Sequence, residues 1–463
     1  MRNIDIIPQN IESPFEKDEM FFSTTNPKGK ILSGNQIFIR TSKYKEEEII
    51  NQPHNIVRHP DMPKIIFKLL WDYIQAGKPI VAYVKNMAKD GSYYWVLATV
   101  LPIFDEEGNI LKYLSIRIKP ETEYFKIAKK LYKKLKEIEE IDGIEASYEY
   151  LIKELNKLGF KDYDAFMKKI LESELKLKEE VLNTNLEEKS QFSQKMKEIY
   201  NIFLSFKEIQ TIYKEIYKFT EDFLKAGEFL KENSESIFSL SDDIRLISLN
   251  SSVESYKLGA NGNSFFVLST EMRKTAEKSG KAVRNMESLI NKALSSIEDI
   301  VFSMSISKLG IFMINKFLEE VLCDKCTEKD ISDQIIRDLC DNQTVIRTQL
   351  LNINSISKSL NDSFRKILDY LNTIRYLIKR LNFLYLSGMV ESAHQTKTNF
   401  SIIFIQINEL VSCTKKTIDQ LSSNLSSIYE GNRIVKKDIE EVLEIMNEIE
   451  QTLQRFSIPS AIG

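Results

Sequence analysis

Residues Leu246 to Ser279 read LISLNSSVESYKLGANGNSFFVLSTEMRKTAEKS. Apolar Leu246, Ile247, Leu249 and Val253 lead into Gly259-Ala260-Asn261-Gly262-Asn263, a run that can supply the positive φ a chain reversal needs. Phe265, Val267, Leu268 and Met272 then resume an apolar face. The spacing predicts a helix, a sharp turn and a returning helix. Local chemistry by itself makes the stretch the tip of a helical hairpin, of the kind any antiparallel bundle contains.

Working outward, Ile202, Ile209, Ile216, Phe223, Leu230, Ile237 and Ile244 stand seven residues apart before the tip, and Val283, Ile290, Ile297 and Met304 keep the same spacing after it. A seven-residue repeat sustained this long specifies a left-handed supercoiled bundle. The spacing restarts at Ile346, Ile353, Leu360, Ile367, Ile374 and Leu381, and a last run follows at Leu421, Ile428, Val435, Val442 and Ile449. Between those two runs the opening motif recurs. Leu386-Ser387-Gly388-Met389-Val390-Glu391-Ser392 matches Leu249 to Ser255, and Asn399-Phe400-Ser401-Ile402-Ile403 matches Ser264 to Leu268, so Glu391 falls on Glu254 and Phe400 on Phe265. This is an internal repeat. Two hairpins in one chain can build a four-helix bundle unaided, as a single-chain pseudo-dimer with both tips at one end. At about 1.5 Å per residue, helices of roughly 50 to 60 residues would make a rod on the order of 75 to 90 Å. The repeat leaves the oligomeric state open.

The remaining composition is that of a soluble globular or coiled-coil chain: 463 residues, 43% hydrophobic and 28% charged. A formal net charge of -3, evenly spread, gives no argument for nucleic-acid binding through a basic face. There is no run of about 18 apolar residues to cross a bilayer and no signal peptide at Met1, which predicts a cytoplasmic protein. Four cysteines, Cys323, Cys326, Cys340 and Cys413, suit a reducing compartment. Cys323-Asp324-Lys325-Cys326 with Cys340 is an incomplete zinc or thiol-switch pattern, because neither a second CxxC nor a nearby His completes the ligands; free structural cysteines are the simpler reading.

Most of the proline lies before residue 121, where the pattern changes to short strands. Lys30 to Ser33, Ile80 to Asn86, Tyr93 to Ile103 and Ile110 to Ile118 read as strands, the last three joined at Lys89-Asp90-Gly91 and Glu106-Glu107-Gly108-Asn109. Residues 1 to 20 read as a lead-in. A small antiparallel sheet with helices and loops on one face makes a pocket suited to a flat cofactor. From Glu121 to Leu182 three helices are predicted, broken at Asp142-Gly143 and Leu158-Gly159-Phe160. The division is then 1–120 sensor, 121–190 helical connector, 191–320 first hairpin, 321–344 connection, 345–457 second hairpin and 458–463 tail. The fold class is an α+β domain followed by a long all-α antiparallel coiled-coil bundle.

The opening stretch resembles the cytoplasmic signalling tip of chemoreceptors, the methyl-accepting chemotaxis proteins. Leu249-Asn250, Val253-Glu254, Gly259, Gly262, Phe265, Val267, Glu271-Met272-Arg273, Ala276 and Ser279 fall without a gap on matching or similar positions of that family's pattern. The resemblance implies a signalling tip at Asn250, Glu254, Gly259, Gly262, Phe265, Glu271 and Arg273, with Glu391 and Phe400 in the second copy. It also implies as partners the chemotaxis histidine kinase CheA and adaptor CheW, or other chemoreceptors. Asp243-Ile244-Arg245, Ala260, Asn263 and Ser264 depart from the family at positions that help dock kinase and adaptor.

Residues 22 to 120 resemble a PAS domain, and Gln52-Pro53-His54-Asn55-Ile56-Val57-Arg58-His59-Pro60-Asp61-Met62-Pro63 resembles the corresponding run of aerotaxis receptors of the Aer type. Asn35, Trp71, Lys85-Asn86, Asp90-Gly91 and Tyr94-Trp95 fit the same pattern, whereas Ile80 stands where a Trp is frequent. The resemblance implies FAD held without a covalent bond, with Asn35, Arg58, His59, Asp61, Trp71 and Asn86 as contacts. Haem ligated by His54 or His59 is the rival cofactor. The chain is thus expected to be a cytoplasmic redox or energy sensor of the chemotaxis pathway rather than an enzyme. With only three histidines and no nucleotide-binding glycine loop, a histidine kinase is disfavoured. An interaction scaffold that has lost kinase coupling is the alternative.

Overall fold

The computed structural model describes residues 6–187, 192–322, 331–394 and 400–457. It divides into two compact units: one holds the chain up to Lys214, Phe302–Asn352 and the residues from Glu440 on, the other Glu215–Val301 and Ile353–Ile439.

The first unit is built on a five-stranded sheet in the order β2-β1-β5-β4-β3, with every neighbouring pair antiparallel. Its strands are β1 (Met20–Thr25), β2 (Ile31–Gly34), β3 (Ile80–Met87), β4 (Tyr93–Phe104) and β5 (Ile110–Ile118). The last three begin where the β-branched and aromatic runs predict. β1 was not anticipated: MFFSTT lies inside or beside the expected lead-in, yet all six residues are buried, the strand being paired on both sides, with β2 and β5. Between β2 and β3 the chain makes α1 (Gln36–Ser42), α2 (Glu46–Ile49), a 3-10 turn at His54–Val57 and α3 (Lys64–Gln75).

Both sheet faces are covered. The residues predicted as a connector form α4 (Glu123–Ile141), α5 (Ile144–Lys157) and α6 (Tyr163–Lys178), with breaks at the predicted glycines. They fold back rather than lead away. Tyr163 Oη donates to the Val81 carbonyl at 3.0 Å, and Trp95 meets Phe125 edge-on at 5.3 Å. The junction after β5 is held by Glu174 of α6. That carboxylate is fully buried and accepts from the Glu121 and Thr122 amides, the Thr122 hydroxyl and Tyr83 Oη at 2.8 to 3.2 Å, so its burial is compensated.

Four long helices follow: α7 (Gln194–Lys257), α8 (Asn263–Val321), α9 (Asp333–His394) and α10 (Phe400–Ser457). The predicted seven-residue positions form their seam. Every one, from Ile202 to Ile449, is no more than 4% exposed, apart from Phe223, whose side chain lies outside the described residues. Buried seams on four antiparallel helices are the packing expected of a bundle.

In the second unit the tip departs from expectation. Leu246, Leu249, Val253 and Val267 are 43 to 61% exposed, while Ser248, Ser251, Ser255 and Ser269 are at most 1% exposed. The hairpin closes on these serines together with Phe265 and Met272, and not on Leu249, Val253 and Val267. The serine hydroxyls are satisfied locally: Ser248 donates to the Arg245 carbonyl at 2.7 Å, Ser269 to that of Phe265 at 2.7 Å, and Ser251 and Ser269 meet at 2.5 Å. The reversal is a 3-10 turn at Gly259–Gly262, where Gly259 takes a φ of 58°. A Cβ on Gly262 would lie 1.9 Å from the Ser255 carbonyl oxygen, so only glycine lets the turn close. The two tips lie together. Phe265 and Phe400 stack, and Arg380 Nη2 reaches Glu271 Oε2 at 2.6 Å.

The two hairpins solve the same packing problem differently. Ser251 and Ser269 correspond to Gly388 and Phe404 in the repeat. In the second hairpin the Phe404 ring occupies the space above Gly388, where a Cβ would meet it at 2.2 Å.

Candidate ligand-binding cavity

A cavity of about 450 Å³ opens between α3, the 3-10 turn and the sheet. Alternate residues of three strands point into it, as the period of two requires: Val84 and Asn86 of β3, Ala98 and Val100 of β4, and Tyr113, Ser115 and Arg117 of β5. The opposite wall is Phe67, Leu70, Trp71 and Ile74 of α3. Trp71 stands edge-on to Tyr113 at 6.1 Å and against the Asn26-Lys30 turn, where a Cβ on Gly29 would be 3.0 Å from the indole. This apolar slot suits a planar ring.

Its polar groups are unbalanced in charge. Lys28, Arg58, Lys64, Lys68 and Arg117 line the cavity, and among the described residues no carboxylate does. Arg117 is the deepest cation, 4% exposed. Having no acceptor of its own, its guanidinium donates to His54 Nε2 at 2.8 Å, to Ser23 Oγ at 2.9 Å and to the Ser115 carbonyl at 3.3 Å. The bond from Arg117 places the His54 proton on Nδ1. Burial, with the adjacent Arg117 charge, pushes His54 down to about 3, so it is neutral at physiological pH. Burial lowers Arg117 to about 10, which leaves it charged. The ligand-facing charge at the cavity floor is therefore positive.

Two further polar groups line the cavity. The Ser115 hydroxyl is buried without a hydrogen bond, and the Asn86 amide, 4% exposed, lines the cavity beside it. Arg58 lies with its guanidinium 3.8 Å above the Phe67 ring. A second hollow of about 410 Å³ adjoins the first, sharing Asn55, Arg58 and Lys64 with it and continuing to His59, Met87 and Lys136.

Of the residues named from the sequence, Arg58, Trp71 and Asn86 come together on the cavity wall. Asn35, His59 and Asp61 do not. Asn35 is spent elsewhere: its amide accepts from Phe22 N at 3.2 Å and donates to Glu320 of α8 at 2.9 Å. His59 Nδ1 accepts from the Asp61 amide at 3.1 Å, and the Asp61 carboxylate pairs with Lys85 at 2.7 Å. Sequence reasoning overlooked Arg117 and Ser115. Their signal was the alternation Tyr113-Leu114-Ser115-Ile116-Arg117, which puts polar side chains on one face of a strand whose other face is apolar.

At the tips, Phe265 and Phe400 sit in the seam, Gly259 and Gly262 form the turn, and Asn250 and Arg273 are exposed. Glu254 pairs with Lys257 at 2.6 Å, Glu271 with Arg380, and Glu391 is half-buried. Cys323 and Cys326 lie outside the described residues. Cys340 is half-buried, its thiol pushed up to about 11 by burial and by Asp341, which disfavours the thiolate.

Residues 31–117 match the family model described as "PAS fold". The chain is 40% identical over 123 residues to the aerotaxis receptor of Escherichia coli, covering 27% of this chain and 24% of that protein. It is 20% identical over 306 residues to biofilm dispersion protein BdlA of Pseudomonas aeruginosa, covering 62% of this chain and 60% of that one. It therefore spans less than two thirds of either relative. A solved structure titled "Flavin Analogue Sheds Light on Light-Oxygen-Voltage Domain Mechanism" aligns over 24% of this chain and 85% of that one, at 22% identity and a TM-score of 0.23. Among the described residues no helix is long and apolar enough to cross a membrane. The chain carries a PAS domain like that of the aerotaxis receptor, followed by a long helical region consistent with a chemoreceptor-like signalling domain.

Proposed function

We propose that this chain is a chemotaxis-type sensor of redox or energy state, in which FAD occupies the cavity. The observation that carries the reading is a flat apolar slot ending in a buried arginine, with five cations and no carboxylate on its described walls. When bound, a flavin supplies a planar ring whose charge and hydrogen bonding change on reduction. Trp71 and the α3 side chains hold that ring and exclude water, while Asn86 and the Ser115 hydroxyl offer hydrogen bonds to its polar edge. Arg117, oriented by neutral His54, favours added negative charge beside it. Arg58 and Lys64, at the opening between the two hollows, suit a pyrophosphate, and the outer hollow gives room for a dinucleotide's second half. Haem fits less well, because His54 Nε2 already accepts from Arg117 and His59 does not line the cavity.

In this reading the chain is a cytoplasmic sensor and not an enzyme. Helices α7 to α10 relay the state of the PAS domain to the tips, which act on the chemotaxis histidine kinase through its adaptor. Leu249, Val253 and Tyr256, with Phe266 and Val267 across the turn, are 43 to 87% exposed and provide an apolar surface for a partner protein. The deciding experiment is the visible spectrum of the purified protein incubated with FAD. Flavin absorption that stays with the protein through desalting and bleaches on reduction supports the reading; a colourless protein overturns it. Capture of kinase and adaptor by the helical region tests the output, and an empty pull-down favours a scaffold.

A further inference from the structure

In the first unit, helices α8 and α9 meet the sheet through acidic side chains. Phe22 of β1 touches Phe317 of α8 edge-on at 5.0 Å, and around this apolar contact sit Glu320, Asp338 and Asp341. Asp338 of α9 is 4% exposed. Its Oδ1 accepts from Ser33 Oγ of β2 at 2.6 Å and from Gln334 Nε2 of its own helix at 2.9 Å. Ser33 is braced by Thr24 of β1, hydroxyl to hydroxyl, at 2.6 Å. Neither donor to Asp338 is charged. The charges acting on it are Asp341 on its own helix and Lys112 of β5, and these two pair with each other, Lys112 Nζ lying 2.8 Å from both carboxylate oxygens. Arg337 of α9 acts on Asp341 in turn. On α8, Glu320 accepts from the Asn35 amide and from the Gln36 backbone at 2.9 and 2.7 Å, with Arg40 and Glu19 nearby.

A carboxylate closed into such a contact with neutral donors holds its proton harder than one in water. Burial pushes Asp338 up to about 6 from 3.8, outweighing the hydrogen bonds from Ser33 and Gln334, and burial raises Glu320 and Asp341 as well. We infer that the Ser33–Asp338 contact is a proton-linked latch: the base of α8 and α9 closes more firmly on the sheet when Asp338 takes up a proton, making pH an input separate from any ligand in the cavity. Protonated, the carboxyl still accepts from Ser33 on its carbonyl oxygen. The sign follows from linkage. Asp338 binds its proton more tightly docked than in water, so docking has its full advantage below the ordinary carboxylate range and loses it as pH rises through about 6.

The test is hydrogen exchange of the full chain, read as protection factors for 312–322 and 333–343. In the native chain, protection of those helix ends should rise roughly tenfold between about pH 7.5 and about pH 5 through Asp338. Asp338→Asn, which keeps the acceptor oxygen but cannot titrate, should remove most of that rise and leave only what Glu320 and Asp341 contribute. Ser33→Ala, which removes the sheet's donor, should lower protection of the helix ends and leave β4 and β5 unchanged. Flat protection across this range in the native chain overturns the latch, as does an Asp338→Asn chain that keeps the full native rise. Unaltered protection of the helix ends in Ser33→Ala overturns it too, even if Asp338→Asn fails to fold.

Discussion

Phe265 and Phe400, equivalent residues of the two hairpins, stack ring on ring with centroids 3.9 Å apart and planes 6° from parallel. Both are at most 2% exposed, so each fills the space against the other's helix. Truncating one leaves a hole that the opposite ring cannot fill. Phe400→Ala should cost about 3 kcal/mol of local stability, seen as faster hydrogen exchange in 263–270 and 400–407. Exchange in β3 to β5 should be unaffected.

The exchange of Ser251 and Ser269 for Gly388 and Phe404 makes a second prediction. Gly388→Ser puts a side chain where the Phe404 ring already lies and should destabilise the bundle by about 1–3 kcal/mol. Adding Phe404→Ser should recover most of it, because the pair then repeats the first hairpin. A double-mutant cycle read by thermal unfolding measures the coupling. Additive losses would show that the two pairs are not alternatives for one space.

Cavity variants separate the residues that the structure gathers from those it does not. Arg117→Gln should weaken FAD binding roughly ten- to a hundredfold, since a buried charged hydrogen bond is worth about 1.5–3 kcal/mol. Asn35→Ala should leave binding within about twofold, its amide facing β1 and Glu320 instead. Fluorescence or absorbance titration gives both constants.

Two histidines give the PAS domain a pH dependence opposite in sign to that of Asp338. Burial, aided by Arg117, holds His54 at about 3, and burial, aided by Lys85, holds His59 at about 4, against an ordinary 6.5. An unfolded chain takes up protons on both as pH falls below about 6.5, so their contribution is whole above that value and is lost toward the folded values. Stability followed on β4 and β5 should therefore fall from about pH 6.5 downward. In His54→Gln the slope should be shallower by about one proton.

The heptads were legible because a long seam leaves a seven-residue mark, and a buried aliphatic at each position is what the mark means. Three strands were legible for the same reason, with runs long enough to show their character, and the short β2 was legible from the turn that precedes it. The tip misled where periodicity counts only apolar residues: serines that bond their own carbonyls can close a seam too, and the aliphatic residues then face outward. β1 was hidden by its polar Ser23-Thr24-Thr25 end. Those hydroxyls look like loop chemistry until Arg117 and Ser33 supply their partners. Asn35 and Asp61 have the right donors and acceptors for a ligand, but their spacing could not reveal that Glu320 and Lys85 had engaged them, contacts made across 285 and 24 residues of chain.

Joining both hairpins in one polypeptide changes what dilution and substitution can do. A bundle assembled from two subunits comes apart as their concentration falls; here each hairpin sees the other at the fixed local concentration of a tether, and pairing is indifferent to copy number. Nor does a substitution fall on both halves, as it must in a symmetric pair. Each tip can vary alone, and the serine pair of one beside the glycine and phenylalanine of the other shows two halves free to diverge while still closing the same bundle.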